Sequence, residues 1–226
     1  MKNLWVISLG GSIIVPEKMD LAFLHKFKKT LLKHTKTHKF VLVTGGGVIA
    51  RKYISALKKE HYSRKELSTA GIRATRMNAK FMMQFFGKKI ANDSLPLNMK
   101  SVKDNLSKND VVICGALRFA PKATSDTTAA NLAHYLKTDF INVTNVPGLY
   151  TADPKKDKKA KLIKKQTWKE FEKRALKVKN VPGMHFVLDQ KAAAEIKKNK
   201  ITTYIVGKDT SSLSKVLKNK PFKGTI

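Results

Sequence analysis

Residues 124–156 read TSDTTAANLAHYLKTDFINVTNVPGLYTADPKK. The hydroxyl-rich start predicts a helix over 125–136. The apolar run 140–143 predicts a strand, and a loop follows that holds Gly148, Tyr150 and an Asp153-Pro154 turn. This order sets phosphate-friendly groups at a helix N-terminus and a flat aromatic in the loop after the next strand. It points to a nucleotide site on a chain that alternates helices with strands.

The same alternation runs outward in both directions. Residues 4–9 read as a buried strand, and Asp20 is placed to cap a helix reaching about residue 35. A strand over 40–43 precedes a helix at about 49–59, and a longer helix follows over 65–86. Ala74, Met77, Phe81, Met82 and Phe85 form a stripe on that helix, read as core or subunit interface. Strands at 110–114 and 202–206, helices at 168–176, 188–198 and 212–217, and a last strand within 222–226 complete the pattern. Strands alternating with helices predict an α/β fold, a mostly parallel central sheet covered on both faces.

A chain of 226 residues suffices for one such core, and no Gly/Ser/Pro-rich linker divides it. The single cysteine, Cys114, sits in the apolar run VVICG and reads as a buried thiol; without a disulfide framework the chain suits a reducing, cytoplasmic setting. Residues 5–9 are too short for the apolar core of a signal peptide, and no apolar run approaches the roughly 18 residues of a membrane span. Net charge is +30 with a pI near 10.2. Only six of the 46 basic residues are arginine (Arg51, Arg64, Arg73, Arg76, Arg118 and Arg174). Sequence-specific nucleic-acid readers lean on arginine for bidentate contacts. The lysine excess therefore reads as solvated faces with salt-sensitive, nonspecific adhesion, and no dedicated nucleic-acid partner is expected.

Three strand ends carry glycine: Gly10-Gly11-Ser12, Gly45-Gly46-Gly47 and Gly115. Glycine lets backbone N–H groups close on an anion, and a helix N-terminus adds positive potential. In open parallel sheets ligands bind beyond the carboxyl ends of the strands, where all three turns fall. GxxxxGK[ST] and GxGxxG are both absent, so a phosphate cradle has to be assembled from several strand ends. Arg51, one helical turn past Gly47, is placed either for bidentate phosphate pairing or for a surface ion pair with a carboxylate. Arg76 is a weaker candidate to face the site. Thr124, Ser125 and Asp126 either cap their helix or bind phosphate, and Asp189 in FVLDQKAAA either caps a helix or serves the site.

Taken together, Gly10-Gly11-Ser12, GGGVIARKYI, GIRATRMNA, Thr124-Ser125-Asp126, NVTNVPGLYTADPKK, VLDQKAA and the ending Lys223-Gly224-Thr225-Ile226 resemble the amino acid kinase superfamily, and within it the archaeal-type uridylate kinases. The resemblance runs from residue 3 to 226. It implies a three-layer αβα sandwich, one domain over 1–226, with the UMP side mainly in 1–137 and the ATP side mainly in 138–226. It implies transfer of the ATP γ-phosphoryl group to UMP, with Mg²⁺ carried on the nucleotide phosphates and no metal site of the protein's own. It also implies a homo-oligomer, commonly a hexamer. By position Gly46, Ser68, Ala116, Arg118, Thr124 and Ser125 fall on the UMP side. Gly10, Gly11, Ser12, Gly47, Arg51, Thr144, Asn145, Tyr150 and Asp153 fall on the ATP side. Asp126, Asp189 and Arg51 match the reacting centre.

Three departures stand out. Ser8 occupies a place where many superfamily members have lysine, which leaves Lys52 and Lys156 as candidates for the catalytic cation. Ser68 replaces an aspartate that contacts the UMP ribose, and Pro147 replaces an aspartate in the ATP-side loop. Other phosphotransferases of the superfamily, acting on carbamate, acetylglutamate or isopentenyl phosphate, are alternatives, as is a noncatalytic nucleotide- or RNA-binding relative. The His-bearing glycine loop of an isopentenyl phosphate kinase is absent.

Overall fold

The computed structural model describes residues 2–119, 123–152, 154, 157–177 and 187–226. Asp153 and Lys156 lie outside them. In chain order the described elements are β1 (Asn3–Leu9), α1 (Gly11–Ile14), α2 (Leu21–His34), β2 (His38–Thr44), α3 (Gly47–Lys59), α4 (Arg64–Phe86), α5 (Met99–Lys108), β3 (Val111–Cys114), α6 (Ser125–Leu136), β4 (Phe140–Val143), β5 (Leu149–Tyr150), β6 (Leu162–Ile163), α7 (Trp168–Lys177), α8 (Gln190–Asn199), β7 (Thr203–Val206), α9 (Thr210–Leu217) and β8 (Gly224–Thr225).

Six strands form one sheet in the order β3-β2-β1-β4-β7-β8. The first five run parallel, and β8 returns antiparallel beside β7. The alternation of β1 divides two cores. Trp5, Ile7 and Leu9 pack with Phe27 and Leu31 of α2, Met82 and Phe86 of α4 and Leu213 and Val216 of α9. Val6, on the opposite face, packs with Val102 of α5, Leu132 of α6, Phe171 of α7 and Ile196 of α8. Burying each of these large side chains contributes about 1.5–3 kcal/mol, so both helical layers are firmly tied to the sheet. This is the expected αβα sandwich.

Helix ends follow local chemistry. Asp20 accepts from the Phe23 amide at 3.0 Å, as its position predicts. Ser63 and Glu66 form a capping box that starts α4. Helix α5 is absent from the sequence reading; it buries Val102 and Leu106, and the Asn98–Ser101 capping box is what starts it. The two-residue strands β5 and β6 are too short to announce themselves. Asp189 lies just outside α8 as its cap, its Oδ1 accepting from the Ala192 amide at 2.9 Å. On α4, Ala74 and Met82 are buried and Phe81 and Phe85 pack at the core's margin, whereas Met77 is 55% exposed and leaves the predicted stripe. Among α3 residues only Ala50 is buried, because α3 packs outward on α4 instead of on the sheet. Cys114 is fully buried, and burial pushes its thiol up to about 12, making it an inert core residue.

Candidate active site

The carboxyl ends of the parallel strands place five turns along one edge of the sheet. In order they are Gly115 after β3, Gly45–Gly47 after β2, Gly10–Ser12 after β1, Thr144-Asn145 after β4 and Gly207 after β7. The two central turns touch backbone to backbone. A Cβ on Gly11 would lie 2.1 Å from the Gly47 nitrogen, and one on Gly45 would lie 2.4 Å from the Gly11 nitrogen. Gly47 also has φ +60°, a conformation that L side chains resist. No side chain fits between these turns.

On one side of this contact lies a cavity of about 300 Å³. Its lining includes Gly46 from the second turn, Ser68 from α4, Ala116 and Arg118 from the loop after β3, and Thr124 and Ser125 at the start of α6. Four separated stretches of sequence thus bring together all six residues expected on one substrate's side. Ala50, Ile54, Leu67 and Ile72 form an apolar wall.

Several residues that the sequence reading did not single out hold this cavity in shape. The Thr75 hydroxyl accepts from the Ala116 amide at 2.9 Å. Thr44 Oγ1 donates to the Thr75 carbonyl at 2.8 Å, and Asn78 Nδ2 donates to the Gly45 carbonyl at 2.7 Å. Arg76 turns out to brace the loop after β3: its Nε donates to the Ala116 carbonyl at 3.1 Å and its Nη2 to the Leu117 carbonyl at 2.8 Å. The available signal was the polar residues Thr75, Arg76 and Asn78 recurring on a helix that also carries the apolar stripe.

Beneath the glycine turns two carboxylates are fixed by hydroxyls. Ser8 Oγ donates to Asp126 Oδ1 at 2.7 Å. Thr124 Oγ1 donates to Asp189 Oδ2 at 2.5 Å, and Thr127 Oγ1 to Asp189 Oδ1 at 3.1 Å. The starts of α6 and α8 are thereby joined through Asp189. Burial pushes the Asp126 carboxyl up to about 7; the Asp189 carboxylate adds to the rise and the Ser8 hydrogen bond opposes it. Asn142, paired in register with Ser8 across β1 and β4, donates to the Val187 carbonyl at 2.6 Å and ties down the chain leading to Asp189.

On the far side of β1, the Thr144 amide donates to the Val206 carbonyl at 2.9 Å and closes the end of β4 onto β7. Asn145 is exposed, and Tyr150 is half-buried in β5 opposite Leu162. Pro147 packs over Gly207, whose Cβ would meet the Pro147 Cα at 3.1 Å. Arg51 stands exposed on α3, outside the 300 Å³ cavity, in an open groove that it shares with Lys52. Among the described residues no carboxylate pairs with Arg51. Its surface-ion-pair reading therefore finds no partner there.

An edge of glycine turns has a cavity of about 300 Å³ on one side and the loop after β4, with Asn145 exposed, on the other. The amino acid kinase family model matches residues 3–207, and the chain belongs to this family. Within it, the likeness is to archaeal uridylate kinases. The uridylate kinase of Thermococcus kodakarensis is 35% identical over 223 residues, covering 98% of this chain and 97% of that protein. The crystal structure of uridylate kinase from Archaeoglobus fulgidus superposes with a TM-score of 0.85 at 31% identity, covering 100% of this chain and 99% of that one. The UMP kinase structure from Bacillus anthracis, at 17% identity and a TM-score of 0.79, shares the fold, covering 99% of this chain and 94% of that one.

Proposed function

We propose that the chain is an ATP-dependent UMP kinase, transferring the γ-phosphoryl group of ATP to UMP to give UDP and ADP. The observation that carries this reading is the convergence of Gly46, Ser68, Ala116, Arg118, Thr124 and Ser125 on one cavity beside the paired glycine turns. The full-length likeness to proteins named uridylate kinase supports the choice of substrate. UMP occupies that cavity. ATP lies across β1, with its base and ribose toward Thr144, Asn145, Tyr150 and Asp153 and its phosphates toward Gly10, Gly11, Ser12 and Gly47.

A phosphate oxygen of UMP attacks the γ-phosphorus, and the bond from that phosphorus to the bridging oxygen of ADP breaks. The attacking oxygen is already ionised, so no general base is required. Catalysis then rests on alignment and charge stabilisation. The turn amides supply donors along the edge, the N-terminus of α6 adds positive potential, and Arg51 reaches toward the ATP phosphates from α3. Ser8 holds Asp126, and Thr124 and Thr127 hold Asp189, at the junction between the substrates.

Among the described residues no group of three or more His, Cys, Asp or Glu is arranged to hold a metal ion. A magnesium ion arriving on the ATP phosphates would keep several waters and take one or two carboxylates. Asp126 and Asp189 are the carboxylates available at this edge. Within this reading the chain acts as a homo-oligomer in the cytoplasm. Among the described residues no helix is long and apolar enough to cross a membrane.

The test is to incubate the protein with ATP, Mg²⁺ and, separately, UMP, CMP, acetylglutamate or isopentenyl phosphate, following ADP release. UMP is expected to give the highest kcat/KM. Turnover with none of them, or only with a non-nucleotide, would sink this reading.

The brace on the cavity wall yields a second expectation. Arg76→Ala removes two charge-assisted hydrogen bonds to the Ala116 and Leu117 carbonyls. KM for UMP is expected to rise by roughly tenfold or more, since such bonds contribute about 1.5–3 kcal/mol each when intact. KM for ATP should change little. Equal losses for both substrates in steady-state kinetics would show that Arg76 supports the fold at large and not this wall.

A further inference from the structure

We infer that the acceptor cavity does not read the sugar 2′-hydroxyl, so that the enzyme phosphorylates the 2′-deoxynucleotide dUMP as well as UMP. The inference rests on the UMP kinase reading for the identity of the site and goes beyond it in substrate range.

It follows from the inventory of hydrogen-bonding groups in the cavity. Most of the lining comes from residues 45–54, 67–75 and 115–125, and these stretches contain no Asp or Glu. Asp126, next along the chain, is engaged by Ser8 and does not line the cavity. The threonine hydroxyls that line it are already committed. Thr75 Oγ1 donates to the Ile72 carbonyl at 2.7 Å while accepting from the Ala116 amide. Thr124 Oγ1 donates to Asp189 and accepts from the Asp126 amide at 3.1 Å. Thr128 Oγ1 donates to the Thr124 carbonyl at 3.2 Å. The loop carbonyls of Ala116 and Leu117 are taken by Arg76.

Among the described residues, this leaves the Ser68 and Ser125 hydroxyls, both neutral, and the exposed Arg118 guanidinium, a donor only, with no protein partner. Wherever in the cavity the ribose lies, its 2′-hydroxyl meets no charged acceptor. A site built to bond a substrate hydroxyl rejects the analogue lacking it by about 10⁴–10⁵-fold, because the site's own buried polar group is then stranded. Here removal of the 2′-hydroxyl strands nothing buried: a serine or the exposed Arg118 guanidinium can turn to water. One neutral hydrogen bond is worth roughly a two- to tenfold preference. The remaining wall of Ala50, Ile54, Leu67 and Ile72 favours the less polar sugar.

The experiment compares kcat/KM for UMP and dUMP at saturating ATP and Mg²⁺. Dissociation constants of both nucleotides, measured by calorimetry without ATP, give the same comparison independently of turnover. A preference for UMP below about tenfold in both measurements is expected from a single neutral bond; a larger preference in either overturns the inference. Ser68→Ala is expected to affect UMP and dUMP alike. A loss confined to UMP and exceeding about tenfold would show that this serine reads the hydroxyl, against the inference. If neither nucleotide is turned over, the UMP kinase reading fails, while the ratio of the two dissociation constants still decides the question of the sugar.

Discussion

Gly47→Ala is expected to lower kcat/KM for UMP by about 100-fold or more, since a shift of about 1 Å in reacting groups costs on that order. The added methyl group would lie 2.5 Å from the carbonyl carbon and oxygen of Gly11 and 2.9 Å from the Ser12 nitrogen. All three are backbone atoms, so no side-chain rotation relieves the contact. The turns after β1 and β2 must separate, and the amides proposed to meet the phosphates move with them. The left-handed φ of +60° adds strain of about 1–2 kcal/mol for a residue with a Cβ. Gly87→Ala is the matched control. Its φ is +86° but nothing lies within 4 Å of the added methyl group, and it sits at the end of α4 away from the paired turns. That variant should lose stability with unchanged kinetics. Steady-state kinetics and thermal melts on both variants make the comparison. Near-normal turnover in Gly47→Ala would refute the requirement for touching turns.

Gly47 also illustrates what the sequence discloses. Three glycine-bearing strand ends can be read directly, because a run such as GGG after an apolar strand has few structural meanings. That the first two turns touch cannot be read, since the contact depends on β1 and β2 being neighbours in register, Leu9 beside Thr44. The expected layers appear because β1, β2, β3 and β4 are apolar almost throughout and so must be buried on both faces.

The six cavity residues were legible only through a family pattern, as nothing in their types or spacing links Ser68 to Arg118. Of the polar scaffold, Arg76 was singled out as a weaker candidate to face the site, whereas Thr44, Thr75 and Asn78 were not. A threonine or asparagine on a helix has the same sequence signature whether it meets solvent or a carbonyl across the core. Arg51 shows the reverse case. Its spacing from Gly47 reads as a phosphate ligand, and the structure leaves it exposed outside the cavity.

Asp126→Asn should separate activity from stability more sharply than any other change at this edge. Burial beside Asp189 raises the Asp126 carboxyl from 3.8 to about 7 in the folded protein. Between those values the folded chain holds a proton that the unfolded chain has released. The sign follows directly: wild-type stability falls as pH rises through this window, and the deficit is complete above about pH 7. Asparagine carries no such proton, and its amide can still accept from Ser8. The variant should therefore lack this slope and gain stability relative to wild type between pH 4.5 and 8, as read by urea unfolding. Turnover should move the other way. If the ionised carboxylate organises the reacting edge, wild-type kcat falls as pH drops below about 7, and Asp126→Asn loses about 100-fold at pH 8, the scale seen when one preorganised group is removed from an active site. A variant with full activity, or a wild-type kcat flat from pH 6 to 8, would remove Asp126 from the reacting centre. Paired with a stability gain at high pH, the loss of turnover would mean that the fold tolerates a destabilising charge at this position because the reaction requires it.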